Sequence, residues 1–83
     1  MKTFAFTVAV HDAPPDLLAI QDVLYESGCD DALLRMTGEE VFLDFDREST
    51  NIEHAIQSAL RNIHTAGFLQ TTVVSIDSDV AAA

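Results

Sequence analysis

One pattern constrains this chain more than any other: alternating apolar residues lead into an amphipathic helix that ends on glycine, and the arrangement occurs twice. In the first instance Phe4, Phe6, Val8 and Val10 alternate with Thr3, Ala5, Thr7 and Ala9, the period of two that marks a strand with one buried face. His11-Asp12-Ala13-Pro14-Pro15-Asp16 interrupts it. Consecutive prolines followed by an acid suit the first turn of a helix, where a missing N–H costs nothing and negative charge meets the positive end of the dipole. The helix is expected to run to about Ser27, with Leu17, Ile20, Val23 and Leu24 in one stripe and Leu18 beside it. Gly28 then supplies a left-handed C-terminal cap, and Cys29 its apolar follower.

The second instance is preceded by a hairpin. Ala32-Leu33-Leu34-Arg35-Met36 and Val41-Phe42-Leu43-Asp44-Phe45-Asp46 flank Thr37-Gly38-Glu39-Glu40, a glycine-containing turn between two strand-like runs. Setting Met36 opposite Val41 places Leu34 beside Leu43 and Arg35 beside Phe42. The faces then agree: Leu34, Met36, Val41, Leu43 and Phe45 point one way, and Leu33, Arg35, Phe42, Asp44 and Asp46 the other.

Thr50-Asn51-Ile52-Glu53 reads as a capping box, with the Thr50 hydroxyl and the Glu53 carboxylate satisfying backbone donors at the helix start. Ile52, Ala55, Ile56, Ala59, Leu60 and Ile63 follow at helical spacing, and Gly67 with Phe68 closes the helix as Gly28 closed the first. A fourth strand is expected from Leu69 to Asp77, and Ser78 to Ala83 as a C-terminal tail. Strand, helix, hairpin, helix and strand make one α+β domain over residues 1–77, a ferredoxin-like split βαβ arrangement. Right-handed crossovers would put both helices on one face of a four-stranded antiparallel sheet. The other face would stay open, carrying Thr3, Ala5, Thr7, Ala9, Leu33, Arg35, Phe42, Asp44, Asp46 and one alternating set of the fourth strand.

Fourteen carboxylates against four Lys/Arg give a formal net charge of −10, yet 48% of the residues are hydrophobic. That apolar content belongs to a folded domain, so the charge lies on its surface. With only Lys2, Arg35, Arg47 and Arg61 to neutralise phosphates, direct nucleic-acid binding is not expected. A basic protein surface is the expected partner. A chain this small buries a thin core, so association into a homodimer is expected as well. No apolar run has membrane-spanning length and the single Cys29 permits no internal disulfide, which is read as a cytoplasmic protein without membrane contact.

Chemistry-bearing motifs are sparse. Asp44 and Asp46 share one strand face, but a hard cation needs more oxygens than these two, so they are read as a partner-facing acidic strip with Glu39, Glu40 and Glu48. His11, His54 and His64 are scattered, and no zinc site is expected. Cys29 follows a helix C-terminus, where the dipole disfavours a thiolate, and reads as an inert thiol. No phosphate-cradling glycine loop, HExxH or triad is evident; no catalytic residue, cofactor or metal is assigned. Self-association is expected through the open sheet face at Leu33, Phe42 and Val74, since contiguous exposed apolar area marks interfaces.

Three stretches carry a resemblance: Leu24-Tyr25-Glu26-Ser27-Gly28-Cys29-Asp30-Asp31-Ala32, Leu43-Asp44-Phe45-Asp46-Arg47-Glu48-Ser49, and Ala55-Ile56-Gln57-Ser58-Ala59-Leu60 with Ala66-Gly67. Together they resemble the N-terminal module of small bacterial helix-turn-helix proteins of regulator or antitoxin type. No helix-turn-helix is evident in this sequence, so the resemblance implies an interaction module and leaves DNA reading aside. The expectation is a non-enzymatic, regulatory or antitoxin-like module acting by protein–protein contact. One alternative is a phage-type, anti-CRISPR-like inhibitor whose carboxylates occupy a nucleic-acid-binding groove. Another is a small-molecule-sensing or enzymatic ferredoxin-like domain.

Overall fold

Phe4, Phe6 and Val8 are shielded from solvent, while Thr3 before them and Ala5 and Thr7 between them are half-buried; Ala9, expected on the open face, is buried together with Val10. That alternation is the first strand as expected, and the remaining elements follow in the expected order. The computed structural model describes residues 1–14, 16–38 and 40–77. They form β1 (Lys2–Val10), α1 (Leu17–Glu26), β2 (Ala32–Thr37), β3 (Glu40–Ser49), α2 (Ile52–Thr65) and β4 (Thr71–Asp77). One four-stranded antiparallel sheet has the order β2-β3-β1-β4, the ferredoxin-like α+β arrangement. The sequence assigns a tail to 78–83, which lies outside the described residues.

The hairpin register agrees with the sequence reading: Met36 opposes Val41, Leu34 opposes Leu43 and Arg35 opposes Phe42. A single core fills the space between the sheet and the helices, joining Phe4, Phe6, Val8 and Val10 to Val41, Leu43 and Phe45, with Ile20 and Leu24 from α1 and Ala55, Ala59 and Ile63 from α2. At its centre the paired residues Phe6 and Phe45 stack with ring centroids 5.2 Å apart. Each such buried side chain stabilises the fold by about 2 kcal/mol relative to exposure.

Both helices end on the glycine motif anticipated for them. Gly28 (φ 99°) and Gly67 (φ 103°) adopt left-handed backbone. Cys29 N–H donates to Leu24 O at 2.9 Å, and Phe68 N–H to Ile63 O at 3.3 Å, the six-to-one bonds of Schellman caps.

The starts of the elements differ from expectation. Helix α1 begins at Leu17 with Asp16 as its N-cap, whose carboxylate accepts from Ala19 N–H at 3.2 Å. Pro14 therefore precedes the helix; Pro15 lies outside the described residues. An acid side chain satisfies an orphan donor that a proline cannot, so the cap forms on Asp16. In α2 the cap is Asn51, not Thr50: its side chain accepts from His54 N–H at 2.8 Å. Asn ranks with the best N-caps, and Glu53 becomes a first-turn acid and not the reciprocal member of a capping box.

Strand β4 starts at Thr71 and not at Leu69. The N–H groups of Leu69 and Gln70 donate to the Asp12 carboxylate at 2.9 and 3.2 Å, which holds them in the turn and out of the ladder. The stripe of α1 is also narrower than expected. Ile20 and Leu24 are buried, but Leu17 and Val23 are partly exposed and Leu18 is 73% exposed.

Candidate protein-binding face

The acidic strip is built by β3. Because side chains alternate along a strand, Glu40, Phe42, Asp44, Asp46 and Glu48 share the face away from the helices, while Val41, Leu43, Phe45, Arg47 and Ser49 are buried beneath. Glu40, Asp46 and Glu48 are exposed, and Asp44 is half-buried. Glu39 lies outside the described residues. Carboxylates at every second position stand about 7 Å apart along a strand, within the ~8 Å reach of unscreened charge at physiological salt. Their mutual repulsion is relieved by an approaching cation.

Asp44 differs from its neighbours. Arg35 on β2 donates to it through Nε at 3.1 Å and Nη2 at 3.4 Å, and Thr7 Oγ1 on β1 donates at 2.7 Å. The Arg35 hydrogen bond, with the Thr7 bond adding to it, holds the Asp44 carboxyl below the ordinary carboxylate range, while Asp44 raises Arg35. The Arg35 guanidinium also lies 4.7 Å from the centroid of the Phe42 ring. Among the described residues, Arg35 is the only Lys or Arg at an open-face position, and Asp44 already engages it. The charge left for a partner is therefore that of Asp46, Glu48 and Glu40.

The three self-association residues are not brought together. One row across the open face reads Leu33, Asp44, Thr7, Ser75, and the next reads Arg35, Phe42, Ala9, Thr72. Leu33 is 69% exposed on the β2 edge, and Val74 is 49% exposed on the β4 edge. A carboxylate and threonines separate them, and Phe42 lies half-buried beneath Arg35. Val74 sits where the β1–β4 register shifts, an extra residue in a bulge, and Val73 packs against the core on the other side.

Sequence reasoning missed Arg47. Its guanidinium grips Asp31 at two points, Nε to Oδ2 at 2.7 Å and Nη2 to Oδ1 at 2.9 Å. It also donates to Gly28 O at 3.1 Å, Ser58 Oγ at 3.1 Å and Asn62 Oδ1 at 3.0 Å. Five bonds match the five donors of the fork. The hydrogen bond to Asp31, outweighing burial, raises the Arg47 pKa. The available signal was parity: Arg47 falls in the same alternating set as Leu43 and Phe45, on the core side.

Other titratable groups have structural roles. Burial pushes the Cys29 thiol up to about 11, against the partly opposing charge of Arg47. His11, His54 and His64 each lie within hydrogen-bonding distance of a hydroxyl, those of Thr72, Ser49 and Thr71. No three His, Cys, Asp or Glu side chains among the described residues converge as a metal site would require. Among the described residues no helix is long and apolar enough to cross a membrane. Compared with known proteins, the chain matches no family model, no curated protein and no solved structure.

Proposed function

We propose that this is a non-enzymatic acidic module that acts by binding a basic protein surface, in a regulatory or antitoxin-like role. The observation that carries this reading is the open face of β3, where Asp44, Asp46 and Glu48 occupy successive alternate positions, with Glu40 beyond Phe42, against the cation Arg35, which Asp44 already engages. Such a surface repels phosphates and speeds encounter with Lys/Arg-rich proteins. The phage-type inhibitor reading draws on the same feature. Asp46 and Glu48, about 7 Å apart on the strand, with Glu40 further along the same face, fit lengthwise into a cationic groove built for a nucleic-acid strand.

The test is capture of basic proteins on immobilised chain, followed by association kinetics for those retained. Asp46→Asn with Glu48→Gln is expected to slow association, whereas Asp22→Asn with Glu26→Gln on α1 removes the same charge elsewhere and is expected to change it less. Equal effects from the two pairs would reduce the strip to general surface charge. Retained proteins that normally bind nucleic acid, released from it by this chain, would favour the inhibitor role over the regulatory one.

A further inference from the structure

The two edges of the sheet are not alike. Strand β4 is interrupted by the bulge at Val74, a device that blunts an edge against further pairing. Strand β2 pairs with β3 through six consecutive residues without a shift and contains no carboxylate, proline or lysine. Its helix-side residues are also poorly covered: Met36 is 36% exposed, and a cleft of about 260 Å³ lies between β2 and α1, lined by Leu34, Leu24, Gln21, Tyr25 and Cys29 among others.

The direction of the unpaired groups on β2 follows from the ladder. Asp46 N–H donates to Asp31 O at 3.2 Å, which makes 31 and 46 a hydrogen-bonded pair. Alternation along an antiparallel ladder then turns the backbone of Leu33 and Arg35 toward β3. The N–H and C=O groups of Leu34 and Met36, with the C=O of Ala32, point outward. Among the described residues nothing pairs with them.

We infer that this edge pairs with the β2 edge of a second copy of the chain, antiparallel about a two-fold axis at Leu34, to make a continuous eight-stranded sheet. Three registers keep the outward-facing groups in phase. An axis at Arg35 sets the two Arg35 side chains opposite each other, and an axis at Leu33 sets Met36 opposite Asp30. An axis at Leu34 sets Leu34 against Leu34, Ala32 against Met36 and Leu33 against Arg35, with no like charges facing. In a chain of net charge −10, the edge without a carboxylate is where self-contact meets least repulsion. The surface is small beside the ~1,600 Å² of a standard interface, so the dimer is a weak, concentration-dependent one.

Two acidic bodies four strands apart, about 19 Å at 4.8 Å per strand, repel through a screening length of about 8 Å at 0.15 M salt and 30 Å at 0.01 M. Dimerisation is therefore strengthened by salt, opposite in sign to binding of a basic partner, so this inference and the proposed function stand or fall separately.

Sedimentation equilibrium of the full chain, from micromolar to near-millimolar concentration, is expected to show a dimer that gains strength as salt is raised. In a Cys29→Ala background, Leu34→Cys is expected to form an interchain disulfide under mild oxidation, since directly opposed Cα atoms about 5.5 Å apart lie within the ~4.4–6.8 Å span of a disulfide. Leu33→Cys and Val74→Cys are expected to cross-link much more slowly. Leu34→Lys, checked for folding by circular dichroism, is expected to weaken dimerisation by roughly tenfold or more, as like charges meet at the axis. A chain that stays monomeric at high salt and high concentration overturns the inference. So does cross-linking that is as fast at Val74 or Leu33 as at Leu34, or a dimer stabilised by a basic peptide bridging the two edges.

Discussion

Arg47 and Asp31 form a two-point ion pair at 2.7 and 2.9 Å beneath the α1–β2 loop. The Arg47 side chain is 11% exposed and that of Asp31 29%, so the pair is much less screened than a surface pair. Arg47→Met would strand Asp31, Asn62 and the Gly28 carbonyl, and removing one partner of a buried pair costs about 3 kcal/mol or more. The stability of a chain this long is on the order of 4–12 kcal/mol. Urea denaturation is therefore expected to show a large loss, with Arg47→Lys recovering less than half. The Arg47→Met/Asp31→Asn cycle should give a coupling of about 1 kcal/mol or more; additive losses would mean that the two side chains act independently.

Gly28 and Gly67 share a left-handed backbone but not their surroundings. A Cβ on Gly28 would sit 3.1–3.3 Å from the Asn62 side chain, whereas none of the atoms around Gly67 comes within 4 Å. Gly67→Ala is expected to lose about 1 kcal/mol from backbone strain alone. Gly28→Ala should lose more, because it also presses on a partner of Arg47. Thermal melts decide the order, and a Gly67→Ala variant as unstable as Gly28→Ala would contradict it.

Acid should weaken the open-face hydrogen bonds in a defined direction. The pKa of Asp44 is depressed by Arg35 and Thr7, and that of Asp12 by the Leu69 N–H and then the Gln70 N–H. A depressed carboxyl contributes stability above its unfolded value, near 3.8 here, and loses it as pH falls through the folded value. Asp44→Asn is expected to cost less than about 1 kcal/mol at neutral pH, since the pair is partly exposed. It should also flatten the fall in stability below the unfolded carboxylate range. An unchanged acid slope in both Asp44→Asn and Asp12→Asn would assign that slope to other groups.

Cys29 is 5% exposed and its thiol is pushed up to about 11. Alkylation at neutral pH is expected to be slow in the folded chain and fast in urea, so the labelling rate reports opening of the α1–β2 region. Rapid modification under native conditions would show that this region opens freely.

Much of this fold was legible because independent signals agreed. The hairpin register follows from two alternating runs around one glycine turn, and a one-residue slip would have sent Leu34 and Leu43 to opposite faces. The caps at Gly28 and Gly67 follow from where amphipathic spacing stops. The helix starts were harder to place: Thr50 and Asn51 both cap well, and only the folded chain places Asn51 Oδ1 2.8 Å from His54 N–H. The acidic row was visible as Asp44, Asp46 and Glu48, but the capture of Asp44 by Arg35 and Thr7 joins three strands and has no local signature. Arg47 was overlooked because its neighbours in sequence are acids on the opposite face, while its partners lie on the α1–β2 loop and on α2.

The pairing of β1 with both β3 and β4 bears on how the chain is made as well as on how it rests. His11 and Thr72, whose side chains lie 3.0 Å apart, are separated by 61 positions, and the Asp12 carboxylate clasps the turn that leads into β4. On a ribosome, β1 emerges before β4, and its second edge stays vacant until β4 follows. During that interval the run Lys-Thr-Phe-Ala-Phe-Thr-Val-Ala-Val, free of acids and rich in strand-forming residues, is an open template for foreign strands. Closing so long a loop is slow, and the vulnerable interval ends when β4 pairs with β1.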